Sequence, residues 1–164
     1  MEACVDRLKQ YLTDQHIYFE VQEHRQAYTM QEVAASLHEK GERVAKVFIA
    51  WADGRPMMLV LPAPSQVDLD RVRSMLKAQE VRRAREFEFA QTFADCDVGA
   101  MPPFGNVYQV PVYIDRSLVA EPYIVFQAGT HHTTMKIAMS DYQRLVKPVV
   151  GDFILHHVHE PIVV

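Results

Sequence analysis

The dipeptide Asp53-Gly54 lies between two apolar runs, Ala45 to Trp51 and Pro56 to Leu61. Such a dipeptide accepts the positive φ angles of a two-residue turn, so the three parts predict a β-hairpin. Pro62 and Pro64 end the second strand, because proline removes a ladder donor. Side chains alternate across a strand, which sets Lys46, Phe48 and Ala50 on one face of the first.

Helical spacing of Val5, Leu8 and Leu12 predicts an amphipathic helix over about residues 4–15. Ile17, Phe19 and Val21 alternate with polar neighbours as a half-buried strand does. Thr29 and Glu32 fit a capping box for a helix that buries Val33, Ala34 and Leu37, and Gly41 ends that region. Asp68 caps a helix carrying Leu69, Val72 and Leu76, and a further helix is predicted over about Glu86 to Phe93. Strands follow at Val110–Asp115, Pro122–Gln127 and Met135–Ala138; Ser140 then caps a helix through Val146 that Pro148 stops. The tail from Gly151 alternates as a strand would. Helices and hairpin-connected strands are interspersed, so the predicted class is α+β: a mixed, largely antiparallel, barrel-like sheet surrounded by helices.

With 164 residues, 49% of them hydrophobic, the chain suits one domain with a single core. No run approaches the ~18 apolar residues of a membrane span, and Met1–Gln10 is no signal region. These features predict a cytoplasmic protein that meets no membrane, with Cys4 and Cys96 as reduced thiols. A net charge of −4 argues against a long grip on duplex nucleic acid, but not against contact with a strand's end. The basic run Arg71, Arg73, Lys77, Arg82, Arg83 and Arg85 is either a solvated face or a contact for such an end.

Three features bear on chemistry, and each has a purely structural alternative. The segment from Asp97 to Asn106 has no period but holds two glycines and two prolines, as a rigid loop displaying backbone donors would, or as a plain turn would. Ala128-Gly129-Thr130-His131-His132 follows an apolar strand, where glycine permits close approach to a ligand or simply turns the chain. Lys46 is either a snorkelling surface lysine or a fixed positive charge in a pocket. No Gly-x-Ser-x-Gly elbow is present, Cys96 reads as a core or loop thiol, and His156, His157 and His159 lack the partners zinc needs.

In this order the features resemble the YbaK / prolyl-tRNA-synthetase-associated (INS-like) editing family. Gly99-Ala100-Met101-Pro102-Pro103 fits its Gly-x-x-x-Pro motif, extended by Phe104-Gly105. Ala45-Lys46 matches the segment carrying the family's essential lysine, and Ala128-Gly129-Thr130-His131 its late loop. His24, Ala27-Tyr28-Thr29 and Glu32-Val33-Ala34 resemble its early helix, although Arg25 stands where a proline is usual. The resemblance spans about residues 17–148 and leaves 149–164 as a C-terminal extension.

The resemblance implies a single editing domain. It would hydrolyse, in trans, the ester of a mischarged tRNA, such as tRNA-Pro carrying alanine, cysteine or serine. It implies no metal and no organic cofactor, a monomer, and as partners the aminoacyl-tRNA acceptor end and a synthetase. By the same resemblance Lys46, Gly99, Pro103, Gly105, Thr130 and His131 are catalytic, and Ala100, Met101, Pro102, Phe104 and Gly129 bind substrate. A non-catalytic module that binds tRNA or synthetase is the alternative, as is a hydrolase of small acyl esters.

Overall fold

The structure is a computed structural model, and it describes residues 3–24, 30–37 and 39–156. The first half runs α1 (Cys4–Asp14), β1 (Glu20–Glu23), α2 (Met30–Leu37), β2 (Ala45–Ala52), β3 (Arg55–Pro62), α3 (Leu69–Leu76) and β4 (Val81–Arg83). The second half runs α4 (Glu86–Phe89), β5 (Val112–Asp115), α5 (Arg116–Val119), β6 (Tyr123–Gln127), β7 (Thr133–Ala138), α6 (Met139–Val146) and β8 (Val149–Gly151).

The predicted hairpin forms in full: β2 and β3 pair from Ala45↔Pro62 to Ala52↔Arg55. Asp53 (φ 47°) and Gly54 (φ 83°) both occupy the positive-φ region that the turn requires. The hairpin sits inside a mixed sheet ordered β4-β2-β3-β5-β8, in which β3–β5 and β5–β8 are parallel pairs. A second, antiparallel sheet is ordered β1-β7-β6. A parallel bridge between Val44 and Val125 joins the two sheets, which do not close into a barrel.

Alternation along β2 and β3 sends side chains into two cores. Ala45, Ile49, Met58 and Val60 join the main cluster with Leu8 and Leu12 of α1, Phe104, Phe126 and Tyr142. Ala50, Leu59 and Leu61 pack on the other face with Val72 of α3 and Phe153. Each such large side chain contributes about 1.5–3 kcal/mol when fully buried.

Several predicted elements differ. The strand expected around Ile17–Val21 begins at Glu20; Ile17 is buried before it, while β1 itself is exposed on both faces because it pairs only with β7. The helix expected to Phe93 stops as regular structure at Phe89, with Phe93 still buried in the main core. Ser140 is not a cap: α6 starts one residue earlier, and its N-cap, Ala138, makes no side-chain bond. Asp68 does cap α3, accepting from the amides of Asp70 and Arg71. Arg82 and Arg83 of the basic run lie on strand β4. The strand expected from Gly151 onward does not form among the described residues: β8 ends at Gly151, and only an isolated bridge between Val67 and Ile154 follows. Thr29, His157 and His159 lie outside the described residues.

The cysteines are corrected too. Cys4 and Cys96, expected as separate thiols, form a disulfide across 92 residues, with Cα atoms 5.1 Å apart. Their separation in sequence hides a pairing that folding α1 onto the 93–97 segment creates.

Candidate functional site

The two glycine loops meet. Asp97 to Ala100 form a tight turn closed by the Ala100 amide donating to the Asp97 carbonyl (3.0 Å). Gly99 is its third residue at φ 83°, a conformation a type II turn demands there and a side chain resists. The Asp97 amide donates to the Gly129 carbonyl and the Gly129 amide to the Ala100 carbonyl, each at 2.8 Å, so the two loops are laced backbone to backbone. His131 adds a third tie, from Nε2 to the Val98 carbonyl at 2.8 Å. A carbonyl only accepts, so this contact holds the ring proton on Nε2.

Gly99 is exposed at the crest of the turn, and its amide has no acceptor among the described residues. That donor is therefore available to a carbonyl or oxyanion. Below it, Ala100, Pro102, Pro103 and Phe104 are buried, and Met101 is 8% exposed. Phe104 stacks edgewise on Tyr142 (centroids 5.4 Å) and near Phe126 (5.5 Å), and the Tyr142 hydroxyl donates to the Pro103 carbonyl at 2.7 Å. Burial pushes the Tyr142 phenol far above its usual range, so it remains a donor. The side chains of the motif thus anchor the loop in the core, while its backbone faces outward at Gly99.

Thr130 also has a partner: its hydroxyl donates to Thr133 Oγ1 at 2.7 Å, and that hydroxyl reaches the Glu23 carboxylate at 3.0 Å. His132 Nδ1 lies 3.0 Å from the same carboxylate. The His132 hydrogen bond, then that from Thr133, holds Glu23 below the usual carboxylate range. Glu23, Thr133 and His132 were not legible in the sequence as a network, because it depends on β1 pairing with β7, 110 residues away.

Lys46 lines a cleft of about 510 Å³ together with Phe48, Gln66, Val67, Leu69 and Arg83, none of which belongs to either loop. The Arg83 guanidinium lies over the Phe48 ring, 4.3 Å from its centroid. Among the described residues neither cation has a carboxylate partner, and no acid lines the cleft. Partial burial, then the neighbouring Arg83, lower the Lys46 pKa from its usual value. Two cations without a carboxylate partner make this cleft positive, a charge that suits an anionic group such as phosphate. A second cleft, of about 340 Å³ beside the three-stranded sheet, is lined by Glu20 and Glu39, and its Lys136 is paired with Glu39 at 3.7 Å. Its charge does not suit a polyanion.

The disulfide lies directly behind the loops. A Cβ on Gly129 would stand 2.7 Å from both Cβ and Sγ of Cys4, so only glycine fits. The Cys4 amide donates to the Asp95 carbonyl at 3.1 Å. The Tyr108 hydroxyl donates to the Asp95 carboxylate at 3.0 Å and lies within 3.4 Å of both sulfurs. Arg7 covers the Tyr108 ring and reaches Asp95 at 3.5 Å.

Residues 24–145 match the family described as the aminoacyl-tRNA editing domain, and the chain belongs to that family. A proline–tRNA ligase of Elusimicrobium minutum (strain Pei191) is 29% identical over 79 residues, which is 48% of this chain. The chain spans 14% of the length of that curated relative. Among solved structures, a candidate trans-editing enzyme for prolyl-tRNA synthetase superposes with a TM-score of 0.82 at 18% identity, covering 95% of this chain and 99% of its own. A scaffold protein used for epitope grafting gives 0.82 at 17% identity, covering 96% of this chain and all of its own. At such identities the likeness is one of fold. Among the described residues no helix is long and apolar enough to cross a membrane.

Proposed function

We propose that this protein acts in trans as an aminoacyl-tRNA deacylase, hydrolysing the ester that joins a small amino acid to the wrong tRNA, with tRNA-Pro as the first candidate. The observation that carries the reading is the exposed, uncommitted Gly99 amide on a turn held rigid from three sides. Ester hydrolysis needs a polarised carbonyl, and a preorganised backbone donor in such a loop is worth about 3–4 kcal/mol in transition-state stabilisation.

In this reading Gly99 donates to the ester oxygen as it becomes an oxyanion. Pro103 and Gly105, with Ala100, Met101, Pro102 and Phe104, hold that amide in place from the core. Gly129 sets the second loop against the first, His131 fixes the Val98 carbonyl, and Thr130 orients the loop edge where water enters. Lys46 and Arg83 grip phosphates of the single-stranded acceptor end, with the Arg83 guanidinium seated on the Phe48 ring. The acceptor end's several nucleotides can bridge a cationic cleft and a separate loop pair. No side-chain nucleophile is required, because the leaving ribose carries a neighbouring hydroxyl that can assist the attack of water.

The test is deacylation of tRNA-Pro charged with alanine, cysteine or serine, by wild type and Lys46→Ala in parallel. Hydrolysis of one ester, reduced at least about 100-fold in the variant, is the expected result. Full activity in Lys46→Ala removes the lysine from the mechanism, and no hydrolysis of any mischarged tRNA favours a binding module.

A further inference from the structure

The disulfide lies against both glycine loops. Cys4 begins α1 and packs without clearance against Gly129, while Cys96 immediately precedes the turn that carries Gly99. We propose that Cys4 and Cys96 form a reversible thiol–disulfide switch that sets the deacylation loops, with the oxidised form the more active. The regulatory part rests on the reading of those loops as the deacylation centre.

The geometry supplies the coupling. Two bonded sulfurs sit much closer than two thiols in van der Waals contact, so reduction must push Cys4 and Cys96 apart. Cys4 is 2% exposed and already abuts Gly129, with Tyr108 beside both sulfurs. Its neighbours on these sides are the Gly129 backbone and the 96–99 segment, so the displacement bears on them. Those two carry the bonds that lace the loops, Asp97 amide to Gly129 carbonyl and Gly129 amide to Ala100 carbonyl. Loosening them unfixes the direction of the Gly99 amide.

Access fixes the chemical order. Cys96 is half-buried and Cys4 fully buried, so Cys96 meets the oxidant first. With glutathione disulfide, the Cys96 thiolate attacks one sulfur and expels a glutathione thiolate, leaving a mixed disulfide. The Cys4 thiolate then attacks the Cys96 sulfur and expels the second glutathione. The two protons lost by the protein thiols pass through solvent to the two expelled glutathione thiolates, the protein loses two electrons, and one glutathione disulfide becomes two glutathiones.

The experiment equilibrates the full chain in graded mixtures of glutathione and its disulfide and reads three quantities. These are intact mass, amide hydrogen exchange over residues 97–105 and 128–133, and deacylation of mischarged tRNA. The expected result is a reversible loss of two hydrogens, slower exchange in both loops, and a deacylation rate about tenfold or more higher in the oxidised form. Cys96→Ser and Cys4→Ala should each abolish the response. Identical loop exchange in the two states overturns the switch, as do a redox response that survives in both variants and a reduced pair that takes up zinc in place of oxidising. Because mass and exchange need no substrate, a loop response without deacylation would retain the structural switch and reject the editing reading. Deacylation indifferent to oxidation would do the reverse.

Discussion

A methyl group on Gly105 would lie 2.7 Å from the Val110 carbonyl oxygen and 2.8 Å from Val112 Cγ2. On Gly99 it would meet nothing nearer than His131 Cε1 at 3.5 Å, although the φ of 83° would be strained. The same substitution therefore separates two roles. Gly105→Ala is expected to destabilise the fold by about 1–3 kcal/mol through overpacking, lowering the midpoint of thermal or urea unfolding. Gly99→Ala should cost only about 1–2 kcal/mol of backbone strain, yet reduce deacylation disproportionately because the exposed amide is re-aimed. Unfolding curves and single-turnover rates on both variants check this pair of outcomes. Equal rates per folded molecule in the two would show that the Gly99 amide has no part in the chemistry.

Among the elements, β4 is fastened to α4 by one bidentate contact. Arg82 donates to both oxygens of Glu88 at 2.7 Å, and Glu88 also accepts from the Arg85 amide. Arg82, then the amide, hold the Glu88 pKa at about 2 instead of 4.5. A depressed carboxylate pKa stabilises the folded state at pH above the unfolded value, and that contribution fades as pH falls from 4.5 to about 2. The melting temperature of Glu88→Gln should accordingly lie below that of wild type at pH 6 and converge with it near pH 2. A constant difference across that range would reject the assignment.

This contact also marks where reading the sequence stops. The β2–β3 hairpin was legible because its turn and its apolar alternation are both local. The capping of α3 by Asp68 was legible for the same reason. Val81-Arg82-Arg83 is too short to show a period, and only pairing with Ala50–Ala52 makes it a strand. At the site, the motif glycines and prolines were visible, as was the face of Lys46. That Pro102, Pro103 and Phe104 point into the core was not, since it follows from Tyr142 and Phe126 arriving from later elements. The disulfide and the Glu23 network escaped for the same reason: each joins residues about a hundred positions apart.

For the molecule as a whole, the cationic cleft stands out against a net charge of −4. Lys46 is held there against partial burial and the like charge of Arg83, so its presence costs stability while it is charged. A lysine pKa lowered by folding means that this cost is present at neutral pH. It is relieved as pH rises through the folded value toward 10.5, where the unfolded chain also loses the proton. Lys46→Met should raise the melting temperature at pH 7 while lowering deacylation, with the stability gain shrinking in alkaline solution. A variant less stable than wild type at pH 7 would mean that the lysine is held by attraction instead.

The pairing of β1 with β7 has a consequence in time. Glu23 and Thr133 lie 110 residues apart in the chain, and Cys4 and Cys96 92 apart. Closing spans of this length is entropically costly until late contacts repay it, which slows folding and defers those contacts to its end. On the ribosome, the β2–β3 hairpin can form as soon as it emerges, but the second glycine loop has no strand to stand on until β7 has been made. On the function proposed above, the nascent protein would therefore gain its chemistry last, inert toward charged tRNA while its own ribosome has yet to make β7.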